Sequence, residues 1–217
     1  MSAHLALPLV VSGLHLVLGL GALLSGTDRR TPWLFAALAG VLAAWSASVF
    51  QIRHAPDPAG GLLGQRMLNI TFALTPAVYY HLVRVMTRTH DAHRTAVRVV
   101  YALAAAFTLS ALAALPLLVQ DVVRTPRGWA PVTGPLGLPL LVFYLAVMAA
   151  TLGPLSAARR PPLLAASLVM LLAPVANFFG FILVRAGVIR LELPPLLLPA
   201  SVVFMALVWF ATREPTT

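Results

Sequence analysis

The 217 residues are 60% hydrophobic and only 10% charged, against about 25% charged in an ordinary soluble domain, so lipid rather than water must cover much of the surface. Lys+Arg total 15 against 6 Asp+Glu. Without a basic face or an aromatic-basic module, that excess reads as headgroup and topology signals and argues against a nucleic-acid partner. Cysteine is absent, which excludes disulfides and thiolate chemistry, and every basic residue is Arg, so no lysine exists to form a retinal Schiff base.

In chain order, the apolar runs predict seven spans of 18 to 24 residues, close to the ~20 that cross a bilayer core. The first is His4–Ser25. His4, Pro8, Ser12, His15, Gly19 and Ala22 share one side of it at helical spacing, the side expected to face a bundle. The second is Pro32–Ile52, where Ala36, Gly40, Ala44 and Ser48 form a small-residue stripe suited to close helix approach. Arg53–Gln65, with three glycines and two prolines, reads as a loop.

The third span, Met67–Thr87, carries Asn69, Thr71, Thr75, Tyr79, Tyr80, His81 and Arg84, with Pro76 near its middle. Polar groups are costly in hydrocarbon, so this helix is expected to face protein. The fourth is Val97–Gln120, with a second small stripe at Ala102, Ala106, Ser110 and Ala114. Asp121–Pro135 reads as the longest loop, with Trp129 suited to the membrane interface. Leu136–Ala157, Leu163–Val184 (with Pro174 and Asn177) and Pro194–Ala211 complete the set. Alternating strand patterns are not apparent, which argues against a β-barrel. The expected fold is therefore all-α: one transmembrane domain over residues 1–217, a polytopic seven-transmembrane-helix bundle.

With seven spans, one membrane side holds nine arginines (29, 30, 84, 88, 94, 98, 159, 160, 213) and the other six (53, 66, 124, 127, 185, 190). The positive-inside rule then puts the N-terminus outside and the C-terminus in the cytoplasm.

Candidate chemistry is sparse. Asp28, Asp57, Asp91, Asp121, Glu192 and Glu214 all fall in loops or at ends, which argues against ion pumping, and no GxSxG or HExxH motif is present. The chain is therefore expected not to be an enzyme. His15 and His81 lie inside spans, where an imidazole either ligates a haem or chlorophyll metal or hydrogen-bonds a neighbouring helix. His81, Arg84 and Arg88 share a face at i, i+3 and i+7, which suits either an anionic pocket or arginines snorkelling to the headgroups. His90-Asp91-Ala92-His93 reads as a solvated turn rather than a metal site. Asn177, behind Pro174, reads as a ligand contact or as repair of the broken helix ladder.

Phe72–Thr87, FALTPAVYYHLVRVMT, resembles the Pro-containing third helix of the seven-helix sensor region that precedes some bacterial histidine kinases and diguanylate cyclases. Pro174–Glu214 is similar to that region's Asn-bearing sixth helix, short Gly loop and last helix. The resemblance implies a sensor-like module of the bacterial inner membrane, with no catalytic residues to carry over. In that family a kinase or cyclase follows the seventh helix. Here four residues follow Arg213, so the expectation is a stand-alone module that signals through a partner protein. Tyr80, His81, Arg84, Asn177 and His15 are the expected contacts to a membrane-soluble ligand or partner. The alternative is an accessory subunit of a respiratory or photosynthetic complex, with or without a haem or chlorophyll held through His15 or His81.

Overall fold

The computed structural model describes residues 3–25, 30–125, 128–185 and 197–213, with side chains described at 6–24, 30–125, 128–176 and 198–212. The chain is built from α1 (Ala3–Ser25), α2 (Arg30–His54), α3 (Pro58–Met86), a single 3-10 turn (Asp91–His93), α4 (Arg94–Leu112), strands β1 (Val119–Thr125) and β2 (Gly128–Thr133), α5 (Gly137–Ala149), α6 (Leu152–Ala157), α7 (Pro161–Arg185) and α8 (Leu197–Arg213). Four segments are long and apolar enough to cross a membrane: Ala6–Leu24, Arg30–His54, Asp91–Leu112 and Gly137–Ala157. Pro161–Ala176 and Leu198–Thr212 are shorter apolar helices. The outer faces of α1 and α4 present Leu16, Val17, Leu24, Leu109 and Leu112, which suit hydrocarbon and not water.

α3 is the hub. At 29 residues it is the longest helix, but its polar side chains keep it out of the four apolar segments. Its buried residues point to every side: Tyr79 meets Phe204 of α8 edge-on at 4.9 Å, Phe72 stacks on Tyr144 of α5 at 4.2 Å, and Tyr80 joins the cluster that includes Val97 and Ala104 of α4. A helix enclosed by neighbours can carry Thr71 and Thr75, because their hydroxyls donate to the Leu68 and Thr71 carbonyls, 2.9 and 2.7 Å away.

The expected loop Arg53–Gln65 is largely the first two turns of α3. Asp57 is its N-cap and accepts from the Gly60 amide at 2.8 Å, and Pro58 opens the helix, where a missing N–H has no cost. The glycines that read as loop signals serve close approach: a Cβ on Gly61 would stand inside the Trp129 ring, and one on Gly64 would lie 2.8 Å from Ile52 Cγ1.

The fourth span also ends early. α4 stops at Leu112, and Val119 and Gln120 belong to β1, so the expected long loop is mostly an antiparallel hairpin. A register shift between Val119 and Asp121 bends it. The hairpin sits on the corner between α2 and α3. The Trp129 Nε1 and Arg124 guanidinium both donate to the Ala55 carbonyl, at 2.9 and 3.0 Å, and Gln65 Nε2 donates to the Trp129 carbonyl at 2.7 Å.

The fifth span is broken into α5 and α6 at Ala150–Thr151. Pro154 has no N–H to offer the Ala150 carbonyl, so the helix ladder fails there.

The small-residue stripes also differ from expectation. A Cβ on Gly40 would meet nothing within 4 Å; α1 instead approaches α2 at Gly19, opposite Ala36 and Ala39. Of the second expected stripe, Ala102 and Ala106 on α4 and Ala114 just past it are exposed and Ser110 is half-buried, while Val97, Ala104 and Ala111 form the buried face of α4. The bundle-facing side of α1 is as expected: Pro8, His15, Gly19 and Ala22 are buried.

Three helix ends turn on non-glycine residues in the left-handed region: Arg88, Ala114 and Arg159. After α3 the Thr89 amide reaches the Arg84 carbonyl at 2.9 Å and the Arg88 amide the Val85 carbonyl at 3.1 Å, the paired bonds of a Schellman turn. That turn takes Arg88 off the expected His81–Arg84–Arg88 face and leaves it exposed.

Candidate functional site

Two polar regions stand out, at different depths in the bundle.

The first lies in the interior. His15 is fully buried near the middle of α1, and neither ring nitrogen has a hydrogen-bond partner among the described residues. The Leu42 and Ser201 carbonyls lie close by, but outside hydrogen-bond geometry. Leu42 and Ser201 also wall a cavity, together with Trp45, Phe72, Thr75, Tyr144 and Met170. Its volume, taken as room for water-sized centres, is about 20 Å³. Its three hydroxyls each donate to a backbone carbonyl: Thr75 to Thr71, Ser201 to Leu198 and Tyr144 to Met170. They therefore offer only lone pairs to an occupant, while a neutral His15 has one N–H and one acceptor nitrogen.

Beside the cavity runs a hydroxyl chain. Tyr79 OH donates to the Leu163 carbonyl at 3.0 Å and lies 2.9 Å from Ser167 Oγ; Thr151 Oγ1 is 3.0 Å from that same oxygen. The chain ties α3 and the α5–α6 break to α7. Removing the phenol hydroxyl with Tyr79→Phe is expected to cost about 1 kcal/mol, the usual scale for one such bond between membrane helices. Ser167→Ala in the Tyr79→Phe background should then cost less than it does alone, in a thermal-unfolding cycle; strict additivity would show that the two hydroxyls are not coupled.

The second region is at the C-terminal end of α3, where Arg84 packs on Tyr80 and His81 meets His90 and Tyr101. Arg84 is 8% exposed, yet no carboxylate pairs with it among the described residues. Its guanidinium lies 4.9 Å from the centre of the Tyr80 ring and 3.5 Å from Thr89 Oγ1, and its Nε has no partner. The ring face and the helix C-terminus each return on the order of 1 kcal/mol. That is less than the several kcal/mol that desolvating a guanidinium costs. The His81 ring stacks on His90 at 4.9 Å, and its Nδ1 lies 3.3 Å from Tyr101 OH on α4.

The other expected residues fall elsewhere. His15 lies among α1, α2 and α8, and His81 between α3, α4 and His90, so the two rings have different surroundings. His90 and His93 also part: His93 Nδ1 donates to the Thr89 carbonyl at 3.1 Å, while His90 turns to His81. No group of three His, Cys, Asp or Glu residues among those described could hold a metal ion. Asn177 is within α7, but its side chain is outside the described residues. Missed from the sequence were His90, Tyr101 and Thr89 at the lower site and Thr75, Tyr144 and Ser201 around the cavity.

No protein-family model matches this chain, and neither the curated proteins nor the solved structures hold a significant match to it.

Proposed function

We propose that this chain is a non-enzymatic, sensor-like integral membrane module of the bacterial inner membrane that binds a small membrane-soluble ligand inside its bundle. One observation carries the reading. A fully buried His15, with both nitrogens unmatched among the described residues, packs against two walls of an interior cavity whose hydroxyls all present acceptors. The matching ligand is a small, mostly apolar molecule bearing one or two hydrogen-bond donors. The space for water-sized centres is about 20 Å³, so a ligand larger than a water or two would have to widen the cavity as it binds.

In this reading α3, α7 and α8 cross the bilayer along with the four apolar segments, α5 and α6 forming one crossing, so that seven spans place the termini on opposite sides. The arginines around the α3–α4 turn outnumber those around the hairpin, which orients the turn, and with it the C-terminus, toward the cytoplasm. The signal would pass to a partner protein.

The test is purification from native membranes in mild detergent, followed by mass spectrometry of the bound small molecules and of the co-purifying proteins. Wild-type protein should carry a small molecule that Ser201→Leu, which fills the cavity, does not. Co-purification of a kinase, a cyclase or a response regulator is expected. Identical extracts from the two proteins would refute the ligand site. Fixed-stoichiometry recovery with respiratory or photosynthetic subunits would replace the sensor reading by that of an accessory subunit.

A further inference from the structure

At the opposite end of α3 from the hairpin, we propose a second site, independent of the interior cavity, that takes a phosphate-type oxyanion such as a phospholipid headgroup. The geometry points to it in three ways. First, Arg84 is buried, lacks a carboxylate among the described residues, and has an unpartnered Nε. A guanidinium in that setting calls for an acceptor, and its planar fork matches a phosphate's oxygens. Second, His81, one helical turn before Arg84 at the same end of α3, gathers further polar groups. His90 Nδ1 is buried without a partner, the His81 ring stacks on His90, and Tyr101 adds a hydroxyl. Asp91, the acidic residue next in sequence, is exposed. Third, α4 begins beside them at Arg94 with no side-chain cap on its N-terminus, so its first amides add positive potential to the same corner.

The position suits a lipid phosphate. The site lies at one end of the bundle, among the exposed Arg88, Arg94 and Arg98, which suit the headgroup layer while Arg84 reaches inward. These outer arginines would attract any anionic lipid. Arg84, His90 and Tyr101 would hold one in place, by a charge-assisted bond that screening affects far less than surface attraction.

The experiment compares wild type, Arg84→Gln and the exposed control Arg98→Gln in neutral detergent. Phosphatidylglycerol, phosphatidylcholine and inorganic phosphate are titrated separately, with thermal midpoint and lipid adducts in native mass spectrometry as readouts. Wild type should retain phosphatidylglycerol in preference to phosphatidylcholine, and Arg98→Gln, which removes one charge of the general attraction only, should keep most of that preference. Arg84→Gln should lose that preference by about tenfold or more, the change expected when one charge-assisted hydrogen bond is removed. Stabilisation by inorganic phosphate at millimolar concentration, with no lipid preference, would assign the site to a free oxyanion instead. If Arg84→Gln cannot be recovered folded, His90→Ala removes the stacked ring, keeps the cation, and should weaken the same preference. The proposal fails if no anion distinguishes wild type from either variant. It fails equally if Asp28→Asn reproduces the Arg84→Gln instability without lipid dependence, since a carboxylate of the chain would then be the counter-ion.

Discussion

Gly128→Val should release the hairpin from the α2–α3 corner while leaving the helices in place. Gly128 has φ +119°, a conformation that residues with a Cβ rarely adopt. A Cβ there would also lie 2.6 Å from the Ile52 carbonyl oxygen and 2.8 Å from the Arg53 Cα. Both are backbone atoms of the last turn of α2 and cannot swing aside as a side chain would. The backbone strain alone is of order 1–3 kcal/mol. Relieving it by lifting the hairpin breaks the Trp129 and Arg124 bonds to Ala55 and the Gln65 bond to Trp129. At about 1 kcal/mol each, the three bonds come to roughly 3 kcal/mol. Trypsin cleavage after Arg124 should then become at least about tenfold faster, because proteolysis follows the population of the opened segment. Helical content in detergent should stay close to wild type. An unchanged cleavage rate would show that the corner yields, and that the hairpin is held by something other than this contact.

The hairpin also shows what the sequence does not display. Val119 and Val122 are its buried β1 residues, three apart, because the register shift at Gln120 moves the strand out of its period of two. Leu115, Leu117, Leu118 and Val119 continue the apolar run of α4, which is how Val97–Gln120 came to look like one span. Pro154, by contrast, carried its own signal: the α5–α6 break falls where its missing N–H predicts. Asp57-Pro58 was equally legible as a cap and first turn, but three following glycines outweighed it. Gly61 is needed for contact with Trp129, on a hairpin 68 residues away, and Gly64 for contact with Ile52 of the preceding helix.

The sites divide along the same line. His81 and Arg84 at i, i+3 are local, and helical spacing alone brings them together. His90 joins them only because Arg88 takes a left-handed conformation and folds the chain back, and no periodicity announces a Schellman turn built on Arg. Tyr101 and Ser201 arrive from other helices. His15 was legible as a polar residue on a buried stripe; the cavity beside it required the relative placement of α2, α3, α5, α7 and α8.

Gly19→Leu is expected to be the most damaging single change within the bundle. A Cβ at Gly19 would lie 2.9 Å from Ala39 Cβ and 3.6 Å from both Cα and O of Ala36. A leucine at that point must push α1 away from α2. In lipid there is no hydrophobic return for helices that stay together loosely, so close packing and hydrogen bonds carry the association. Displacing α1 forfeits both: the contact at Gly19, and one turn or two further along, the bond from Ser12 Oγ to the Ala43 carbonyl at 3.0 Å. Overpacking against backbone costs about 1–3 kcal/mol, and the lost hydrogen bond about 1 more. Gly13→Leu is the matched control, because a Cβ at Gly13 on the same helix meets nothing within 4 Å. In detergent, Gly19→Leu should lower the thermal midpoint clearly, while Gly13→Leu should leave it near wild type. The functional consequence follows from His15, one helical turn from Gly19 and seated against Leu42 and Ser201. A displaced α1 withdraws that ring from Leu42 and Ser201, so Gly19→Leu should lose any small molecule the cavity holds, as Ser201→Leu should, although it touches no cavity wall. If both glycine variants behave alike, α1 is not held by this contact, and the placement of His15 must rest on other parts of the helix.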